Sequence, residues 1–225
     1  MGKKRELFDG WQTPQALANL AASVLDQYWT LAHDAEVKRL EISDFYKPIV
    51  GDIGAGLGSL TDAVSRIGYA VTSFEKDTVL REKLEAAYKN VWGDFYDHSV
   101  AGDKFDCFIT NPPFSEGCEL IEHAFNLLRS PNTGFVVAVL PTAYFQSDSR
   151  GKWLIANGEL KHEVRLINRV AYIRDGVAHK NRQCYDSIMV LAPKGSELPT
   201  KQTVFKTVPK QIASVVQKNI FESVV

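Results

Sequence analysis

The segment Ile49-Val-Gly-Asp-Ile53-Gly-Ala-Gly-Leu-Gly58 constrains the fold more than any other part of this chain. A short apolar run of strand length ends in glycines at alternate positions, and residues 59–67 then follow helical spacing. A strand that turns at once into a helix through such small residues leaves its backbone open to close approach. The free amides at the helix start favour an anionic or polar group.

The same alternation continues downstream. Residues 70–74 read as a second strand and 79–88 as a helix; 105–110 read as a strand, 118–128 as a helix and 135–140 as a further strand. Short connections between strands and helices in this order predict a mostly parallel α/β sheet covered on both faces. Upstream, Thr13 supplies a capping hydroxyl and Pro14 suits a first helical turn, so a helix is expected through about Tyr28, with another short one possible in 34–45. Downstream, 164–170 and 187–191 read as strands, 172–183 as a polar loop, 204–207 as an extra edge strand and 209–221 as a final helix. With 225 residues and 45% apolar side chains the chain can bury one core, and a single domain over 1–225 is expected: an N-terminal helical part (1–46), a core (47–193) and an extension (194–225).

Charge and cysteines exclude several classes. The 26 Lys plus Arg against 27 Asp plus Glu give a net charge of −1, which argues against coating polyanions by bulk charge while leaving room for a local basic groove. Cys107, Cys118 and Cys184 are too scattered for a disulfide framework or a CxxC site, and the five histidines show no zinc spacing, so reduced thiols, a cytoplasmic setting and no metal are expected. The apolar stretch 134–141 is far shorter than the roughly 20 residues that span a bilayer, and the first ten residues lack the apolar core of a signal peptide; neither membrane insertion nor secretion is expected.

Glu75 follows the second strand about 20 residues beyond the glycine turn, where its carboxylate can accept two ribose hydroxyl hydrogen bonds. The glycine string departs from G-x-G-x-x-G at its final spacing, and with Glu75 it fits a nicotinamide or an adenosyl cofactor equally. Asp94 and Phe95 add an acid to accept from an adenine amino group and an aromatic to pack on the ring. Asn111-Pro112-Pro113-Phe114 is the sharpest signal. Two prolines stiffen a strand exit and remove amide donors, so the Asn111 side-chain oxygen and the Pro112 carbonyl offer two acceptors beside the Phe114 face. Two acceptors and a stacking surface are what a planar exocyclic amine needs. They hold both hydrogens, favour a more tetrahedral nitrogen and stabilise the positive charge that builds as it attacks a methyl sulfonium.

With these residues in this order, the chain resembles the class I S-adenosylmethionine-dependent methyltransferases of the gamma-type N6-adenine DNA kind, which carry an Asn-Pro-Pro-Tyr/Phe motif. The resemblance covers roughly residues 8–193 and implies a Rossmann-like fold with a mostly parallel seven-stranded sheet. It implies S-adenosyl-L-methionine as cofactor, its methionine part held by Asp52, Gly54, Gly56 and Gly58, its ribose by Glu75 and its adenine by Asp94 and Phe95. It makes Asn111, Pro112, Pro113 and Phe114 the catalytic set, and Trp11, Thr13 and Pro14 a segment that helps close over the cofactor, with 1–46 as a lid. It implies methyl transfer to adenine N6 in DNA. Structured RNA such as ribosomal RNA is the alternative, followed by cytosine N4, a protein glutamine N5, or a catalytically silent binding subunit. The larger DNA enzymes of the family append a target-recognition domain, whereas about 30 residues follow Pro193 here, so sequence-specific recognition would need a specificity or activator subunit as partner, the loop 172–183, or a very short site. A base must be unstacked to reach Asn111. Candidate substrate contacts are Tyr172, Arg174, His179, Lys180 and Arg182, with Tyr185 and the basic Lys3-Lys4-Arg5 as further candidates.

Overall fold

A computed structural model describes residues 11–40, 47–98, 104–174, 177–179 and 185–208. The first helix, α1 (Gln15–Leu40), starts directly behind Pro14, whose carbonyl accepts from the Leu17 and Ala18 amides. It does not stop near Tyr28 but runs unbroken to Leu40, because no glycine or proline interrupts 15–40. Its apolar stripe of Leu17, Ala21, Leu25 and Tyr28 is fully buried, which makes α1 part of the core.

Five parallel strands follow in succession. β1 (Ile49–Ile53) leads through the glycine turn to α2 (Ser59–Arg66), and β2 (Ala70–Phe74) to α3 (Thr78–Ala87). The short β3 (Val91–Trp92) and a single 3-10 turn over Phe95–Asp97 precede β4 (Cys107–Thr110), α4 (Gly117–Leu127) and β5 (Phe135–Pro141). A second 3-10 turn (Tyr144–Gln146) and α5 (Asp148–Asn157) lead to β6 (Gly158–Leu166). β7 (Tyr172–Arg174) and β8 (Val177–His179) make a separate antiparallel ribbon before β9 (Asp186–Pro193) and β10 (Val204–Lys206).

The main sheet runs β10-β6-β9-β5-β4-β1-β2-β3, with β9 antiparallel between β5 and β6. The expected seven strands become eight because β10 pairs in parallel with β6. The strand expected at 164–170 begins six residues earlier and ends at Leu166. The expected loop 172–183 instead contains the β7–β8 ribbon in its described part. The helix expected at 209–221, like Lys3, Lys4, Arg5, Lys180 and Arg182, lies outside the described residues.

Two apolar layers sandwich the sheet. One gathers α1 and α2 over Val50, Val137 and Val190; the other gathers α4 over Phe108, Val136 and Leu191. The chain passes from β1 to β2 and β3 on one side and returns to β4 on the other. The strand order therefore reverses between β1 and β4, and a crevice at the carboxyl ends of such strands is where open α/β sheets receive ligands.

Candidate active site

At that crevice lies a cavity of about 520 Å³, walled by the glycine turn, the ends of β2 and β4 and the strap Trp11–Gln12. The turn is built by glycines with left-handed backbone, Gly54 (φ 69°), Gly56 (φ 58°) and Gly58 (φ 86°). Gly56 also has no room for a side chain, since a Cβ there would lie 2.7 Å from Gln12 Oε1. The Gly54 and Ala55 amides both donate to the Phe74 carbonyl at 2.9 and 3.0 Å, which fixes the turn against the end of β2.

Glu75, the next residue, is buried at the cavity wall. Its Oε2 accepts from the Gly56 amide at 2.8 Å and its Oε1 from the Asp77 amide at 2.8 Å, so each oxygen keeps a lone pair for a ligand hydroxyl. Asp77 in turn caps α3 through the Leu80 amide. Asp94 caps the 3-10 turn after β3 by accepting from the Tyr96 amide at 3.1 Å, and the buried Phe95 stands edge-on to Phe74 with centroids 4.9 Å apart. Both line the cavity, as do Gly54 and Gly56.

Asn111, Pro112, Pro113 and Phe114 also line the cavity. Thr110 anchors the strand end by donating to the Ile53 carbonyl at 2.8 Å. The Asn111 side-chain nitrogen donates to Thr13 Oγ1 at 2.9 Å, which orients the amide and leaves its oxygen as the acceptor. The loop beyond is clamped: the Phe114 carbonyl accepts from Arg150 Nη2 at 2.9 Å and from the Tyr144 hydroxyl at 3.1 Å. The Arg150 guanidinium lies 4.2 Å over the Tyr144 ring.

Several expected residues sit elsewhere. Thr13 is buried behind Asn111, Pro14 opens α1, and Gly58 heads α2, packed so tightly that a Cβ would meet Tyr88 at 2.7 Å. Asp52 lies beneath the turn, wholly buried, its Oδ2 accepting from Thr61 Oγ1 at 2.6 Å while Oδ1 has no hydrogen-bond partner. Burial pushes its pKa up to about 7 against the opposing Thr61 hydrogen bonds. Tyr172 lines the cavity and donates to Asp186 Oδ2 at 3.2 Å, whereas Arg174 and His179 stand beside Trp11, 5.6 and 5.0 Å from its ring. Tyr185 belongs to a different groove.

Sequence reasoning passed over Gln12, whose backbone pairs with Ile173 in both directions and whose Oε1 accepts from the Leu57 amide at 2.9 Å. It also passed over the Lys76–Glu116 ion pair (3.3 Å) at the cavity and the Arg150–Tyr144 clamp. No local motif marks these contacts; the residues meet only through the fold. Among the described residues there is no cluster of three metal-ligating side chains, and no helix is long and apolar enough to cross a membrane.

No protein-family model matches the chain, and no curated protein matches it. Solved structures do. A candidate RNA methyltransferase from Pyrococcus horikoshii superposes with a TM-score of 0.51 at 17% identity, covering 77% of this chain and 83% of that one. A Thermoplasma acidophilum protein gives 0.48 at 20% identity over 72% and 82% of the two chains. A Synechocystis magnesium protoporphyrin IX methyltransferase with bound S-adenosylmethionine gives 0.44 at 17% identity over 77% and 79%. With the sheet order above, the Pyrococcus likeness assigns the fold as the Rossmann-like fold of class I methyltransferases.

Proposed function

We propose that the chain transfers a methyl group from S-adenosylmethionine to the exocyclic N6 amine of adenine in DNA. The observation that carries this reading is the Asn111 amide at the cavity wall. Thr13 holds its nitrogen at 2.9 Å, so its oxygen is the group offered to an incoming N–H donor. The residues around the cavity suit the cofactor: a left-handed glycine turn gives close backbone approach, and Glu75 presents a carboxylate already fixed by two amides to the ribose hydroxyls. Asp94 and Phe95 flank the place for the adenine ring. When bound, S-adenosylmethionine would supply an electrophilic methyl on its sulfonium: a C–N bond would form as the C–S bond breaks, one amine proton would pass to solvent, and S-adenosylhomocysteine would remain.

The chain's own groups act on the amine. The Asn111 oxygen and the Pro112 carbonyl accept its two hydrogens, which localises the nitrogen lone pair and stabilises charge that grows only in the transition state. Phe114 stacks on the base, and the Arg150–Tyr144 clamp on its carbonyl keeps that loop from yielding. DNA is favoured over RNA by the resemblance of Trp11-Gln-Thr-Pro14 and of the motif order to the DNA enzymes.

Transfer of isotopically labelled methyl from S-adenosylmethionine to DNA, RNA and protein in parallel, followed by nucleoside and peptide analysis, tests the reading. N6-methyladenine in DNA is the expected product. Label in RNA, cytosine or glutamine replaces the substrate, and label nowhere despite cofactor binding overturns the activity. Asn111→Ala is expected to keep cofactor affinity while transfer falls by about 10²–10³. Glu75→Ala is expected to weaken cofactor binding by roughly tenfold or more. Equal losses of binding and transfer in both variants would remove the division of roles.

A further inference from the structure

The cavity occupies only half of the carboxyl edge of the sheet. Across β5, β9, β6 and β10 the same edge carries a second groove of about 480 Å³, lined by Thr142, Ala143, Arg165, Ile167, Tyr185 and Phe205. β5, β6 and β10 end on it, just as β1, β2 and β4 end on the first cavity. From β4 to β10 are four strand steps, about 19 Å at ~4.8 Å each.

Two sets of polar contacts, meeting at neighbouring residues of β9, lie between the two. Tyr172, which lines the cavity, bonds to Asp186, and the next residue, Ser187, bonds to Thr142 and to Glu163, which holds Arg165 Nε at 3.0 Å. Both carboxylates of this wall, Asp186 and Glu163, are buried and engaged. What faces outward is cationic and apolar, two of its three large apolar side chains being aromatic. Phe205 is 64% exposed, Ile167 58% and Tyr185 47%, on a molecule whose other large apolar side chains mostly pack inside. Arg169 is exposed and sits 5.5 Å over the Tyr185 ring, and Lys206 is exposed beside Phe205.

We propose that this groove is a track for the DNA strand on one side of the target adenine, with Tyr185 and Phe205 as stacking faces and Arg169 and Lys206 as phosphate contacts. The proposal rests on the nucleic-acid reading above and adds where the strand runs. Aromatic faces interleaved with cations suit a single strand, because every base has a face to stack and every linkage a charge to meet. A protein partner seated on the same apolar patch would gain less from the exposed Arg169 and Lys206 than a strand that brings a phosphate at every linkage.

The test is fluorescence anisotropy with a labelled adenine-containing single-stranded oligodeoxynucleotide over a salt series, alongside the matched oligoribonucleotide. Calorimetric S-adenosylmethionine binding and methyl transfer to an adenine dinucleotide serve as controls. Phe205→Ala and Tyr185→Ala are each expected to lower strand affinity at least about fivefold. Arg169→Ala is expected to flatten the logarithmic salt slope by about 0.7. Cofactor binding and transfer to the dinucleotide stay as in the parent chain. Unchanged strand affinity and slope in a protein that still methylates DNA would overturn the track and leave the activity standing. Failure of the parent chain to act on any nucleic acid would overturn the reading beneath it, and preference for the ribo-strand would replace DNA as the occupant.

Discussion

Asp52 stands next to the glycine turn yet does not line the cavity. It is wholly buried between Thr61 and the glycine turn, and burial holds its pKa near 7, where an unfolded aspartate titrates near 3.9. Between about pH 4 and pH 7 the folded protein therefore keeps a proton that the unfolded chain has released, and the unfolded state binds fewer protons. Stability from this group is fully present below about pH 4 and is lost as the pH rises through about 7, amounting to a few kcal/mol at about 1.4 kcal/mol per pH unit. Asp52→Asn removes the titration while keeping the shape. Its unfolding free energy relative to the parent is expected to rise across that window and level off above it, as denaturant midpoints at several pH values will show; parallel curves would mean that Asp52 is charged in the fold. The sequence placed Asp52 beside the turn as a cofactor contact, yet nothing in the string Gly-Asp-Ile-Gly says which face of β1 its side chain takes. The place of Asn111 at the end of a strand was legible because an apolar run precedes it and two prolines follow it. Thr13, its partner 98 residues away, was recognised as a helix cap and a motif member, not as the group that orients the amide.

At the scale of elements, what was legible followed apolar content. β1, β2, β4 and β5 are short apolar runs bounded by glycine, proline or acidic breakers, and each lies within two residues of its expected place. β6 was cut short because its first half, Gly158 to Lys161, looks polar. Lys161 is nonetheless buried there, held by the Ser196 carbonyl at 2.9 Å and paired with Glu159. α5 buries no side chain and so leaves no helical stripe to read. One close contact between elements is hidden from periodicity. Gly51 of β1 lies across from Phe108 of β4, and a Cβ at Gly51 would stand 2.3 Å from two ring carbons. Phe108 is fully buried between Phe95 and Phe105, with centroids 5.6 and 4.8 Å away, and cannot retreat. Gly51→Ala is expected to lower the unfolding free energy by about 1–3 kcal/mol, seen as a lower denaturant midpoint at unchanged slope. An unaltered midpoint would mean that the β1–β4 contact is looser than the geometry shows.

For the molecule as a whole, the proposed activity sets a demand that net charge cannot meet. With a net charge of −1 the chain gains little from bulk attraction to DNA, so affinity must come from local contacts along the carboxyl edge of the sheet. The Asn111 amide sits in the cavity wall between Thr13 and the proline loop, and the adenine amine of an intact duplex cannot reach it. Extrusion costs a few kcal/mol for a paired base and least for one already unpaired. An edge of aromatic faces and cations holds the opened strand equally in either substrate, so the opening cost remains as the difference between a paired adenine and an unpaired one. Initial rates of methyl transfer are therefore expected to be roughly 10- to 100-fold higher on an adenine in a single strand, or opposite a mismatch, than on the same adenine fully paired, since each factor of ten corresponds to about 1.4 kcal/mol. The comparison uses one sequence in three pairing states at saturating cofactor. Equal rates in all three would mean that the fold supplies the opening energy itself, and the contacts that do so would then have to lie beyond the edge described by Tyr185, Arg169 and Phe205.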